Sequence, residues 1–210
     1  MNTAVSIQNC VEGETINVLQ DIHQDDINIA IYDREMTFLQ SEIEYVVKQE
    51  IAFRAKGNIA TILSDLSKAL KDCALLQKDI EQLLHTFQKV TSKDKFRLLL
   101  ATINNNMCRK FHTDVNALRL LCTYSGQGTL WLTEDNINVK ALKNYKSEES
   151  IALNESEIRQ AATGSVIILK GAIYPGQGTK AVVHRSPTIE ENGENRLLLR
   201  IDTEDFLSFQ

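Results

Sequence analysis

Proline is nearly absent: the 210 residues contain two, Pro175 and Pro187. No Pro- or Ser-rich stretch marks a linker, so the chain reads as a single domain over 1–210. No apolar run approaches the ~20 residues that a membrane helix needs, so no membrane partner is expected. The opening MNTAVSIQNCVEGE lacks a basic segment followed by a long apolar one. No secretory signal is visible, and the expected location is cytoplasmic. Basic charge is in deficit, with 23 Lys+Arg against 28 Asp+Glu, a net charge of −5 and a pI near 5.4. That balance excludes a general nucleic-acid binder, which needs a basic face to meet phosphates. The four cysteines, at 10, 73, 108 and 122, form no C-x-x-C pair, which excludes the common zinc-ribbon and thioredoxin patterns. In a reducing compartment they are expected to be free thiols. G-x-S-x-G, H-E-x-x-H and a phosphate-loop G-K-[ST] are also missing.

What is present is an ordinary globular composition, 43% hydrophobic and 24% charged, long enough to bury one sizeable core. Residues 1–92 read as mainly helical after an extended start. Ile27, Ile29 and Ile31 alternate with polar neighbours at strand period. Asp33 reads as an N-cap, with Met36, Leu39, Ile43 and Val46 at helical spacing up to a break at Gly57-Asn58. Further helices are expected near 59–70 and over 72–90, where Leu76, Ile80, Leu83, Leu84 and Phe87 form one stripe. His85 lies beside that stripe and reads as a helix-surface or core residue.

The texture changes near residue 93. FRLLLATI (96–103), LRLLCTY (118–124), TLWL (129–132), VIILK (166–170), AVVH (181–184) and RLLLRID (196–202) are short strand-like runs with glycine-bearing turns between them. A short helix is expected near 155–162. Gly126-Gln127-Gly128-Thr129 and Gly176-Gln177-Gly178-Thr179 read as two near-identical turns. Six strands in about 110 residues suggest a sandwich, jelly roll or barrel over 93–210. The expected fold is therefore α+β, a helical N-terminal region packed on a C-terminal β-rich core.

Chemistry concentrates at two places in that core. In Cys108-Arg109-Lys110-Phe111-His112-Thr113-Asp114, an imidazole and a carboxylate are two residues apart, which on a strand puts them on one face. In Val182-Val183-His184-Arg185-Ser186-Pro187, a second histidine follows a short apolar run. A closed β-fold can bring His184 beside His112 and Asp114. Two histidines and one carboxylate leave open positions on one side of a metal, which suits iron(II) that must take oxygen and a co-substrate together. Arg196 and Arg200 share a face of the last strand, and either could hold a carboxylate of a 2-oxo acid by a bidentate fork. A rival set uses sulfur: on a regular strand Cys108 shares the face of His112 and Asp114, giving a zinc site, with Cys122 also nearby.

The ordered set His112-x-Asp114, Gly-x-Gly-Thr with TLWL, VVHRSP and RLLLR resembles the iron(II)/2-oxoglutarate-dependent oxygenases. The resemblance covers about residues 95–202. It implies a double-stranded β-helix of jelly-roll or cupin type, with His112, Asp114 and His184 as metal ligands and Arg196 or Arg200 as the co-substrate clamp. It further implies that Tyr124 donates a hydrogen bond into the pocket, and that Arg119 or Arg185 meets an acidic group of a small-molecule or peptide substrate. MCRKFHTDVNALRLLCTYSGQGTLWL and the HRSP block also resemble a bacterial family known only as a domain of unknown function, often encoded beside zinc-homeostasis genes. That likeness implies the alternative of a zinc-binding protein without oxygenase activity. A third expectation is an interaction module whose β-fold holds no functional metal.

Overall fold

In the computed structural model the chain forms two sheets that face each other, with helices on the outside of the larger one. The structure describes residues 5–7, 9–144, 148–176 and 180–204. The strands are β1 (Val5–Ile7), β2 (Cys10–Gly13), β3 (Ile29–Tyr32), β4 (Ala52–Gly57), β5 (Phe96–Ile103), β6 (Leu118–Ser125), β7 (Leu130–Trp131), β8 (Arg159–Gln160), β9 (Val166–Lys170), β10 (His184–Arg185) and β11 (Arg196–Thr203). The α-helices are α1 (Gln40–Lys48), α2 (Ile59–Ala69), α3 (Ala74–Thr91) and α4 (Val139–Lys143). The large sheet runs β1-β2-β3-β9-β6-β11-β5-β4, and the small one β10-β7-β8. All pairs are antiparallel except β2 with β3.

The central strands are buried on both faces, which explains their near-continuous apolar runs. Leu120, Cys122 and Tyr124 of β6 and Leu197, Leu199 and Ile201 of β11 pack under the helices. Leu121 of β6, Leu198 of β11 and Leu99 of β5 face the small sheet with Trp131 and Val182. The side-chain period of two thus separates a helix face from an inner face. Helix α3 closes the outer face through Leu76, Ile80, Leu83, Leu84, Phe87 and Val90, spaced three to four apart. Each such burial is worth about 2 kcal/mol, so Phe87→Ala should cost about 3–5 kcal/mol once its cavity is counted. Ser92, in the left-handed region, ends the helix. Asn58 starts α2 by accepting a hydrogen bond from the Thr61 N–H.

The expected split at residue 92 does not exist in space. Residues before it supply β1, β2 and β3 at one edge of the large sheet and β4 at the other. The helix expected from Asp33 to Gly57 is a shorter α1, reversed at Glu50 (φ 48°) and followed by β4. β4 is a half-exposed edge strand carrying Arg54 and Lys56, so its apolar signal is weak. The helix expected near 155–162 is one 3-10 turn, Glu155–Glu157, leading into β8. Of the two glycine turns, Gln177–Gly178–Thr179 lies outside the described residues. In the other, a Cβ on Gly128 would sit 1.9 Å from the Ala161 carbonyl oxygen, so only glycine allows that approach.

Cys10, Cys73 and Cys122 are buried free thiols, while Cys108 is exposed. Burial pushes Cys10 up to about 12 and Cys122 up to about 11. Titration of the native protein at pH 8 with a chromogenic disulfide should therefore show one fast thiol, Cys108, and all four only after denaturation. Rapid reaction of a second thiol would contradict this packing.

Candidate metal centre

His112 lies in the otherwise irregular connection between β5 and β6. Its N–H donates to the His184 carbonyl and the His184 N–H donates to the His112 carbonyl, both at 3.0 Å. This single antiparallel bridge extends the small sheet by one residue. Residues directly opposed in such a pair project to one side. It therefore sets the two imidazoles against each other, ring centroids 4.7 Å apart, although 72 positions separate them. His112 Nδ1 is 3.0 Å from the Lys110 carbonyl and His184 Nδ1 is 3.1 Å from that of Val182. The tautomer protonated at Nδ1 makes both hydrogen bonds and leaves each Nε2 a free lone pair. Burial pushes His184 down to about 4, so no proton competes for that lone pair at neutral pH.

Asp114 completes the group. Its Oδ2 lies 3.4 Å from His184 Nε2, and its Oδ1 lies 3.9 Å from His112 Nε2. One ligand atom from each of the three residues falls within 4.8 Å of the others. Arg119 Nη1 donates to Oδ1, while the buried Oδ2 has no hydrogen-bond partner. A buried carboxylate oxygen left open beside two imidazole lone pairs is what a divalent cation would satisfy. The donor set therefore fits a metal. Arg119 is itself held: its Nε donates to Asp202 Oδ1 at 2.6 Å, which also accepts from Asn116 Nδ2 at 2.9 Å. Gly171 is required here, because a Cβ would lie 2.5 Å from Asn116 Oδ1.

The same cavity, about 50 Å³, is lined by Leu99, Leu121 and Leu198 and by four arginines, 119, 185, 196 and 200. Their electrostatic states differ. Arg119 serves Asp114 and Asp202, and Arg200 Nε lies 3.1 Å from Asp202 Oδ2. Arg196 is 1% exposed. Its Nη2 donates to Thr123 Oγ1 and Thr129 Oγ1, both at 2.9 Å. Among the described residues no carboxylate pairs with it, and its Nε has no partner. Burial pushes it down to about 10, so it stays charged at neutral pH. A buried cation without a counter-ion is a costly arrangement that an incoming anion relieves.

The fold thus brings His112, Asp114, His184, Arg119, Arg185, Arg196 and Arg200 around one cavity. Cys108 lies on its wall, but its thiol is not within the ligand group. The regular strand that would have aligned residues 108 to 114 is absent, since only His112 pairs there. Tyr124 is turned the other way: its hydroxyl donates to Asp79 at 2.6 Å under the helices, where Asp79 also pairs with Arg34. Tyr124 and Arg119 have opposite parity on β6, so the two cannot share the cavity face. That count was available in the sequence, and it also points to Thr123. Thr129, Asn116 and Asp202 were not anticipated, because their roles depend on contacts between strands.

Fold and site together define two facing β-sheets with a two-histidine, one-carboxylate group between them. The chain belongs to the family described as "Protein of unknown function (DUF1826)", which matches residues 13–202. No curated protein matches it by sequence. Among solved structures it is similar to the Arabidopsis thaliana dioxygenase for auxin oxidation 1 in complex with 2-oxoglutarate, at 9% identity over 96% of each chain and a TM-score of 0.54. Weaker likenesses are to a full-length Neurospora crassa protein in complex with alpha-KG (11% identity, 96% and 87% of the chains, TM-score 0.48) and a Pseudomonas putida prolyl-4-hydroxylase (12%, 89% and 96%, 0.45). At such identities the first likeness shows a shared fold.

Arg119→Gln should weaken metal binding about 10- to 100-fold, because it releases the carboxylate from behind. Tyr124→Phe should leave metal affinity unchanged and cost about 1–2 kcal/mol of stability through the lost hydrogen bond to Asp79. Equilibrium metal titration and denaturant unfolding of both variants check the pair.

Proposed function

We propose that the protein is a non-haem iron(II)- and 2-oxoglutarate-dependent oxygenase acting on a small molecule. The observation that carries this is one cavity holding two kinds of unmet demand: an open His-Asp-His ligand group and a buried arginine with no carboxylate partner among the described residues. The first suits a metal with free positions, and the second suits the far carboxylate of a diacid. When bound, iron(II) and 2-oxoglutarate supply the oxidising chemistry, in which dioxygen is consumed, the oxo acid loses carbon dioxide to become succinate, and one oxygen atom reaches the substrate.

The chain contributes binding, orientation and exclusion of water. His112 and His184 present Nε2 because Lys110 and Val182 hold their Nδ1 protons. Arg119 occupies Asp114 Oδ1 and leaves Oδ2 for the metal. Arg196 is the better clamp of the two sequence candidates. Arg200 is already neutralised by Asp202, whereas Arg196 is held only by two threonine hydroxyls. Leu99, Leu121 and Leu198 keep the cavity apolar around these charges, which strengthens each interaction inside it. The cavity, about 50 Å³, has the exposed Met107 and Cys108 on its wall. The Cys108 thiol that would have favoured zinc stays outside the ligand group.

The test is anaerobic. Metal-stripped protein is given iron(II) and titrated with 2-oxoglutarate while the visible metal-to-ligand charge-transfer band is followed. The band should appear in the wild type and vanish in His112→Ala and His184→Ala. Arg196→Leu should raise the 2-oxoglutarate needed for half-saturation by about tenfold or more, the worth of a charge-assisted fork, and Arg200→Gln by less. Tight iron binding without any band would overturn the reading.

A further inference from the structure

Beside the candidate metal centre lies a second, larger space, a cleft of about 960 Å³. His112 and Arg185 line both, so they stand between the two. Arg185 follows the ligand His184 on β10, and its guanidinium lies over the Phe111 ring, 5.0 Å from the centroid. Stacking fixes the plane of the fork and leaves its edge to bind. Its one hydrogen bond is a long one to the Ser186 carbonyl, 3.5 Å, and among the described residues no carboxylate lies within ion-pair distance.

Arg109 is paired with Glu190, and Glu155 acts on Arg185 through space without coming within ion-pair distance. Within the cavity, Asp114 and Asp202 answer Arg119 and Arg200. With Arg196 given to the co-substrate, Arg185 remains as a fork with no ion-pair partner among the described residues. The cleft wall beyond it is apolar, with Leu142, Ile151 and Ile158 joining Phe111.

We propose that Arg185 anchors a single carboxylate of the primary substrate, a small monocarboxylic acid whose apolar body lies against Phe111 and the adjoining aliphatic wall. The planar fork of Arg185 matches the two oxygens of a carboxylate, and the neighbouring Glu155 disfavours a dianion there. The acid's role as substrate rests on the oxygenase reading, whereas its binding site does not.

The experiment is therefore calorimetric titration of the metal-free protein with hexanoate, 3-phenylpropionate and 4-phenylbutyrate, each against its primary amide, and with phenyl phosphate. At least one acid should bind about tenfold or more tightly than its amide. Arg185→Gln should erase that preference, Arg185→Lys should keep part of it, and Glu155→Gln should strengthen it. Equal binding of acids and amides, no binding by any acid at millimolar concentration, or a preference that survives Arg185→Gln in folded protein would overturn the proposal. Tighter binding of phenyl phosphate than of every acid would overturn the carboxylate assignment. Acid binding that depends on Arg185, in a protein without the charge-transfer band, would keep this site and remove the oxygenase reading. A band without acid binding would do the reverse.

Discussion

The central strands of the large sheet are covered on both faces, and this double burial governs what is placed on them. A strand with helices on one side and a second sheet on the other has no solvated face, so each polar side chain must find a partner within one of two compartments. The chain handles the two differently. Under the helices it keeps one compact set, in which Asp79 accepts from Arg34 and from the Tyr124 hydroxyl. Between the sheets it gathers the histidines, the arginines, Asp114 and Asp202.

Those inner charges are arranged with a definite hierarchy. Asp202 accepts from Asn116 and Arg119 and pairs with Arg200, and Arg119 in turn holds Asp114. Removing one member of such a chain leaves another buried charge exposed to its own desolvation cost, typically about 3–5 kcal/mol. The support behind Asp114 is thus as much a stability element as a positioning one. Arg196 breaks the pattern, since two hydroxyls are weak company for a buried guanidinium. Arg119 and Arg200 beside it each have a carboxylate partner, so the mismatch at Arg196 is what the proposed anion would relieve.

Much of the site was legible before any contact was known. His112-x-Asp114, His184 and the pair Arg196 and Arg200 could be named from their spacing along the strands and from the resemblance that spacing carries. The choice between the arginines was not legible. Both sit on one face of β11, and only the position of Asp202 relative to each side chain separates them. Tyr124 was misassigned although parity argued against it, and Cys108 was given a strand that the chain does not form. Of the N-terminal strands, β3 was signalled by Ile27, Ile29 and Ile31, whereas β4 escaped notice because an edge strand buries little and carries charge.

Composition and periodicity by themselves determined a globular chain, a β-rich second half, the amphipathic α3 and the shortlist of residues able to hold a metal. Local pattern suffices for these, because each depends on neighbours within a few positions. Tertiary structure alone decided that strands from both ends of the chain share one sheet and that His112 bridges to His184. It also decided that Arg196, unlike Arg200, has no carboxylate partner among the described residues. Such facts concern which atoms meet across tens of residues, and they follow from the packing of whole sheets, where burial and charge pairing are settled together.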